Sequence, residues 1–372
     1  MITLIVLIVS GLMTHEAMAQ AVCQLASGTP AINANMPLAL SNITAGPDMP
    51  VGTVIYHEKF VPTYQPTMNC SASPAGSYVL NQVLSLSSTP KPLSAYGGSP
   101  FGGQVYETNI PGLGVAIWAD NQAVTTATPY IRQSFSPPDG DPQSWYADTS
   151  FDISLIKTGN ILPGTLSSAS LPSVVWQLQA TSGAVQGLPV AIASLNFKSS
   201  INIVSQSCTT SDFTVQMGSY EKDRYFSGVS SATPWVDSSI TLNNCPQFWG
   251  YYDATPVQWS NNYILNVPNA TQNMLSVQLT PSTPIIDATQ GIMSVDGGEE
   301  GSAATGIGIQ LAWGSASGSP APFNFAIPQN YTAPSDGRTS LQIPLAARYY
   351  QTEEKVTSGK ANGKAVFVIN YY

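Results

Sequence analysis

The chain has 372 residues, 12 Lys and Arg against 21 Asp and Glu, a net charge of -9, and charged residues make up only 9% of it. So few cations, none of them clustered, exclude a nucleic-acid surface, which needs grouped Lys and Arg to neutralise phosphates. Its 30 Gly and 29 Pro suit short strands joined by tight turns, and the fold class expected is all-β, as β-sandwich domains in tandem.

In chain order, the first element is an export signal. Residues 2–12 form an apolar core and Ala17-Met18-Ala19 supplies a small-x-small cleavage pattern, so residues 1–19 are read as a signal peptide and Gln20 as the mature start. The core is too short to span a bilayer, and no Lys or Arg precedes it, which points to a translation start upstream of Met1. Cys23, Cys70, Cys208 and Cys245 follow, far apart and without a CxxC, and in an exported chain they favour disulfides. Three pairings are possible; the sequential one, Cys23 with Cys70 and Cys208 with Cys245, keeps each loop local. Each such loop is worth roughly 3–4 kcal/mol in the chain-entropy account.

Strand-like runs in the first half are residues 77–80, 105–108, 114–118, 151–156, 174–178 and 188–197. Two loops there combine aromatic faces with polar groups that suit a sugar's apolar face and hydroxyl rim. One holds Trp118, Asp120 and Asn121; the other, residues 137–148, holds Asp139, Asp141, Trp145 and Tyr146. Core packing for the Trp residues and a plain turn for the Pro-Asp-Gly-Asp run are the competing readings. A boundary is placed at residues 196–199, dividing a first domain, 20–197, from a second, 198–372. After it, residues 201–204, 213–217, 239–242, 307–311 and 341–350 read as strands. The chain then ends in GKANGKAVFVINYY (359–372), with no turn signal after the apolar run from Ala365. Either a second chain covers that strand's edge or the strand is already paired on both sides. Phe367, Ile369 and Tyr371 share one face; Val366, Val368 and Tyr372 share the other.

The second half resembles the pilin domains of chaperone-usher fimbriae. The resemblance rests on CTTSDFTVQMG (208–218), ITLNNC (240–245), GIGIQL (306–311), a Gly fourteen positions from the end, Gly359, and a penultimate Tyr, Tyr371. It implies an incomplete immunoglobulin-like fold lacking its last strand, whose groove takes a strand first from a periplasmic chaperone and then from the N-terminal extension of the adjacent pilus subunit. Strand addition to a sheet edge is the recognition mode, and chaperone-pilin complementation is one of its standard examples. Gly359, Phe367, Ile369, Tyr371 and Tyr372 are the groove and chaperone residues so implied, with the terminal carboxylate docking on basic residues of the chaperone.

Only Gln20, Ala21 and Val22 precede Cys23, too little for a donor extension, so the chain is expected to accept a strand and offer none. Binding domain first and pilin domain second resembles the two-domain tip adhesins. The expectation is therefore a tip adhesin, exported through the periplasm and the outer-membrane usher to the cell surface, that binds a host glycan or matrix protein. A structural terminal or initiator subunit without a host ligand is the alternative. No catalytic residue, cofactor or metal is assigned. After the signal His57 is the one histidine, and no GxSxG surrounds any serine. Asp120, Asp139, Asp148 and Asp152 could pair for glycoside hydrolysis only if close in space. Asp139, Asp141, Asp296, Glu299 and Glu300 do not follow calcium-loop spacing. The sequons at Asn42, Asn269 and Asn330 are incidental in a bacterial fimbrial setting.

Overall fold

The computed structural model describes residues 20–73, 78–261, 263–297 and 302–372. The export signal, Ser77, Glu299 and Glu300 lie outside them. Strands dominate, and among the described residues the helices are a single turn at Lys222–Tyr225 and a 3-10 turn at Ser168–Ser170.

The first half packs two principal sheets over one core. One sheet runs Tyr130–Phe135, Val79–Ser88, Ser173–Ser182, Val190–Lys198, Ile32–Pro37; the other centres on Val54–Phe60, Phe151–Lys157 and Leu113–Ala119. Their inward residues, among them Leu80, Leu84, Trp176, Leu178, Phe151 and Leu155, are all fully buried in one cluster. Period-2 alternation puts them there: Phe151, Ile153 and Leu155 face this core while Asp152, Ser154 and Ile156 face the other way. That second face is covered as well, by a small cluster of Tyr96, Val105, Ala116 and Ile156, which is why every residue of Phe151–Lys157 is buried. A third sheet carries the first strand, Gln20–Leu25, hydrogen-bonded antiparallel to Thr67–Ser73 and parallel to Val185–Gln186. Cys23 faces Cys70 across that ladder and is bonded to it, and Cys208 is bonded to Cys245.

The second half forms its own core around Leu242, Val277, Phe323, Ile343 and Leu279. Three sheets enclose it, the largest built on Ile307–Trp313 and Leu345–Gln351. The run expected at 341–350 is two strands, Leu341–Ile343 and Leu345–Gln351, because Pro344 has no N–H to give a ladder and its carbonyl accepts from Gly314 instead (2.9 Å).

The two halves share structure. Ile201 and Ile203 of Ser200–Val204 belong to the first core, so the change of core falls after Val204, while Cys208 is already in the second. More consequentially, Tyr252–Trp259 from the second half adds in parallel to Val54–Phe60 and extends the first half's sheet, with Ile264–Asn266 at the new edge. Val257 and Trp259 are thereby buried in the first core, Trp259 against Phe60 with ring centroids 5.9 Å apart. A polar knot closes the junction. Thr44 receives Trp249 N–H on Oγ1 (2.9 Å) and donates its own hydroxyl to Gln247 O (2.9 Å), while buried Asn273 donates to Thr44 O (2.9 Å) and accepts from Gly250 N–H (2.9 Å). Each buried polar group there finds a partner, as burial requires.

Candidate functional site

The terminal strand, Ala365–Tyr371, pairs antiparallel with Met274–Pro281, its single ladder among the described residues; the sheet continues beyond Met274–Pro281 to Gln329–Thr332. One edge of the terminal strand is therefore open. Register fixes which groups it presents. Tyr372 N–H bonds Met274 O (2.8 Å), Met274 N–H bonds Tyr372 O (3.0 Å), and Ser282 N–H bonds Lys364 O (2.7 Å), so even-numbered residues exchange bonds with the neighbouring strand. In an antiparallel ladder the alternate residues turn their backbone groups the other way, which leaves Ala365, Phe367, Ile369 and Tyr371 facing the open edge.

Beside this edge lies a groove of about 660 Å³. Its apolar lining includes Ile240, Ile309, Leu311, Leu345, Tyr349 and Phe367, side chains that in a completed sandwich would meet an opposing strand. Its lining also includes segment 212–219, on which the sequence pattern predicts a strand over 213–217. Among the described residues no ladder forms there; the segment lines the groove, and the Phe213 ring lies 6.3 Å from that of Phe367. Gly363 forms part of the wall, where a Cβ would lie 2.6 Å from Met293 Cε and 2.7 Å from Ile309 Cδ1. Its smallness keeps the approach to the strand close.

The sequence-predicted terminal residues divide between three environments. Phe367 lines the groove; Ile369 packs, half-buried, against the second core. Tyr371 is 5% exposed in that core, and burial holds its hydroxyl above the ordinary tyrosine range, offset by a backbone hydrogen bond at Cys208. Tyr372 packs against the first core, and its carbonyl oxygen accepts from Asn273 (3.2 Å). Gly359 lies outside the groove lining, against the backbone of residues 302–304, where a Cβ would sit 2.4 Å from Ala304 N. The face assignment is visible in exposure: Val366 and Val368 are each 50% exposed, opposite the half-buried Phe367 and Ile369. Ile240, Ile309, Leu311 and Gly363 stood within the motifs that carry the resemblance, but Leu345 and Tyr349 read only as part of a strand and carried no local sign of a groove. Only their common place in the lining, reached when the chain folds, reveals it.

The candidate receptor residues form two clusters on different sheets. Trp118 donates Nε1–H to Ser154 Oγ (3.0 Å) and stacks between His57 (5.2 Å) and Phe101 (5.5 Å); His57 Nε2 lies 2.8 Å from Asp152 Oδ1. Asp120 and Asn121 form the two-residue turn between Leu113–Ala119 and Gln122–Ala123, both with left-handed φ, 46° and 63°. That conformation is the one a tight hairpin requires, and Asp and Asn tolerate it. Asp120 also accepts from the Tyr130 hydroxyl, whose titration is pushed up to about 12 by burial and by that carboxylate. The second cluster rides on the disulfide strand: Gln143–Tyr146 pairs with Thr67–Ser73, Asp139 bridges to Ala72, and Trp145 stacks on Phe135 at 4.5 Å. Asp139, Asp141 and Tyr146, the last 64% exposed, project outward. Asp148 is held by Arg132, whose guanidinium also lies over the Tyr130 ring that donates to Asp120, while Asp152 is engaged by His57 and Asp139 bridges to Ala72.

Residues 195–372 match the family described as fimbrial protein. Comparison with curated proteins finds no match. Among solved structures, the chain is similar to the CupB6 tip adhesin of Pseudomonas aeruginosa, with 15% identity, 93% of this chain and 94% of that one covered, and a TM-score of 0.35. The receptor binding domain of the adhesin MrkD1P of Klebsiella pneumoniae matches at 21% identity over 51% of this chain and 98% of that one, with a TM-score of 0.31. The CsuC-CsuE chaperone-tip adhesion subunit complex of Acinetobacter baumannii matches at 12% identity over 91% and 99%, with a TM-score of 0.24. The match to the fimbrial protein family thus covers residues 195–372, the half of the chain that carries the terminal strand and the groove.

Proposed function

We propose that the protein is a non-enzymatic adhesin of a chaperone-usher fimbria, whose first half binds a host glycan or matrix protein and whose second half accepts a strand from another chain. One observation carries the second part: a groove walled in part by Ile240, Ile309, Leu311 and Leu345 meets the open edge of the terminal strand at Ala365 and Phe367, within the half that matches the fimbrial family. The energetics favour an extended, alternating occupant. Each backbone hydrogen bond gained there is worth about 0.5–1.5 kcal/mol net, and each large apolar side chain buried about 1.5–3 kcal/mol. A periplasmic chaperone would supply that strand first, the outer-membrane usher would exchange it, and the N-terminal extension of the adjacent subunit would replace it. Gln20–Leu25 is hydrogen-bonded on both sides and tied through Cys23, so it is not free to be donated, which supports a place at the fibre tip.

Co-expression with the cognate chaperone tests the strand-accepting role. Phe367→Ser should reduce recovery of the complex at least several-fold, since Phe367 lines the groove and presents its backbone to the open edge; unchanged recovery would refute that role. For the adhesive role, a glycan array and matrix-protein screen of the full chain should give binding that Tyr146→Ala or Asp141→Ala weakens. No binding by the folded chain would favour the structural terminal subunit.

A further inference from the structure

The open edge of the terminal strand stops short at Tyr371, because the first half occupies that position. Asp48 donates its backbone N–H to Tyr371 O (3.2 Å), and its carboxylate Oδ2 accepts Tyr371 N–H (2.8 Å). One residue thus presents a donor and an acceptor at the two points where a paired strand residue would present its own. The loop that holds it is braced. Buried Lys157 donates Nζ–H to Pro47 O (2.6 Å) and lies 3.4 Å from Gly46 O, and its own carbonyl accepts Gly52 N–H (2.7 Å). At Gly46 a Cβ would sit 2.1 Å from Tyr371 O, so glycine is what allows the loop to reach the strand.

Ala365, Phe367 and Ile369 have no such partner among the described residues; the ladder with Met274–Pro281 is their sole strand pairing and faces the other way. We propose that residues 46–48 of the first half form an end stop for the strand that enters the groove, restricting its backbone pairing to Ala365, Phe367 and Ile369 and fixing its register. This rests on the strand-accepting reading of the groove. The occupant is an extended segment of another chain with alternating apolar side chains: its backbone has three residues to pair with, and its side chains meet Ile309, Leu311, Leu345 and Phe367. Any part of the donor that reaches past Ile369 is turned away from the sheet, so the first half sets where the donated strand ends.

Synthetic peptides of alternating Val and Thr, lengthened two residues at a time at either end, serve as the probe on the full chain, read by titration and by amide hydrogen exchange. With the native chain, saturating peptide should protect the amides of Phe367 and Ile369, and affinity should stop rising once the peptide spans Ile369. The Tyr371 amide should be protected with or without peptide. In Asp48→Ala the Tyr371 amide should exchange freely without peptide, and a peptide long enough to reach it should gain affinity about fivefold or more, the worth of one further hydrogen-bonded pair. Asp48→Asn, which keeps an acceptor oxygen, should behave as the native chain. If peptides of every length leave Phe367 and Ile369 unprotected in both proteins, the strand-accepting reading falls and the end stop with it. If those amides are protected but native and Asp48→Ala chains gain equally from the longer peptides, the end stop alone is overturned.

Discussion

Two sheet edges in this molecule meet the same problem with opposite outcomes. Val54–Phe60 would be an edge strand of the first half, and the chain covers it from within: Tyr252–Trp259 adds in parallel and buries Val257 and Trp259. Ala365–Tyr371 is an edge strand of the second half, and among the described residues its open edge is met only at Tyr371, with the groove beside Ala365 and Phe367. An uncovered apolar edge is a liability in a free protein. The difference sets strand addition as internal architecture at one edge against an edge left largely unpaired at the other, with the first half contributing to both.

The sharpest way to break that comparison is to unseat the internal strand. Trp259 is 3% exposed and packs on Phe60, so Trp259→Ala should cost about 3–5 kcal/mol, as large aromatic deletions in cores do. Because its strand belongs in sequence to the second half and in packing to the first, both halves should lose stability together in a denaturant titration. Separate transitions, with only the second half affected, would mean that the junction is not a shared structural element.

A second test uses the carboxyl buried under the same junction. Glu58 is fully buried, stands in register with Val257, and takes the Tyr56 hydroxyl on Oε2, while Oε1 has no hydrogen-bond partner among the described residues. Burial raises its pKa from the ordinary 4.5 to about 8, against the opposing pull of the Tyr56 hydrogen bond. The folded protein therefore keeps a proton that the unfolded chain has lost. Its contribution to stability is full below the unfolded value of 4.5, declines by roughly 1.4 kcal/mol per pH unit as pH rises, and is gone above about 8. Glu58→Gln should remove this slope, gaining on the order of 3 kcal/mol relative to the native chain at neutral pH. Parallel stability-pH curves for the two proteins between those limits would refute the assignment.

How far these two edges could be read in the amino-acid order differs for a physical reason. Apolar runs bounded by turn residues marked strands at 151–156, 174–178, 307–311 and the chain's end, and alternation assigned faces in the terminal strand, where Val366 and Val368 are exposed opposite Phe367 and Ile369. It cannot say which strand is next. Tyr252–Trp259 is absent from the strands the sequence pattern marks, interrupted as it is by Pro256, and nothing local to it encodes a parallel partner some two hundred residues earlier in the chain. The same ambiguity explains residues 213–217, which alternate like a strand and yet line a groove. At the loops the limit is conformational. Asp120-Asn121 has the composition of a ligand-binding turn and also of a tight hairpin, and its paired left-handed φ angles show that it is at least the latter. Asp48 carried no sign at all, since its function depends on the chain folding back to meet Tyr371.

The smallest expected effect sharpens the comparison most finely, because it separates the two faces of the open strand. Val366 and Val368 are half exposed on the side away from the core, whereas Phe367 lines the groove. Replacing both valines with Thr keeps β-branching and strand propensity. Stability should stay within about 0.5 kcal/mol of the native chain, the usual range for surface substitutions, and binding of the alternating Val-Thr peptides should be unchanged. If the double variant instead lost peptide binding to the extent expected of Phe367→Ser, the incoming strand would lie over the outer face rather than along the groove. The edge would then be open on a different side from the one its register and burial assign.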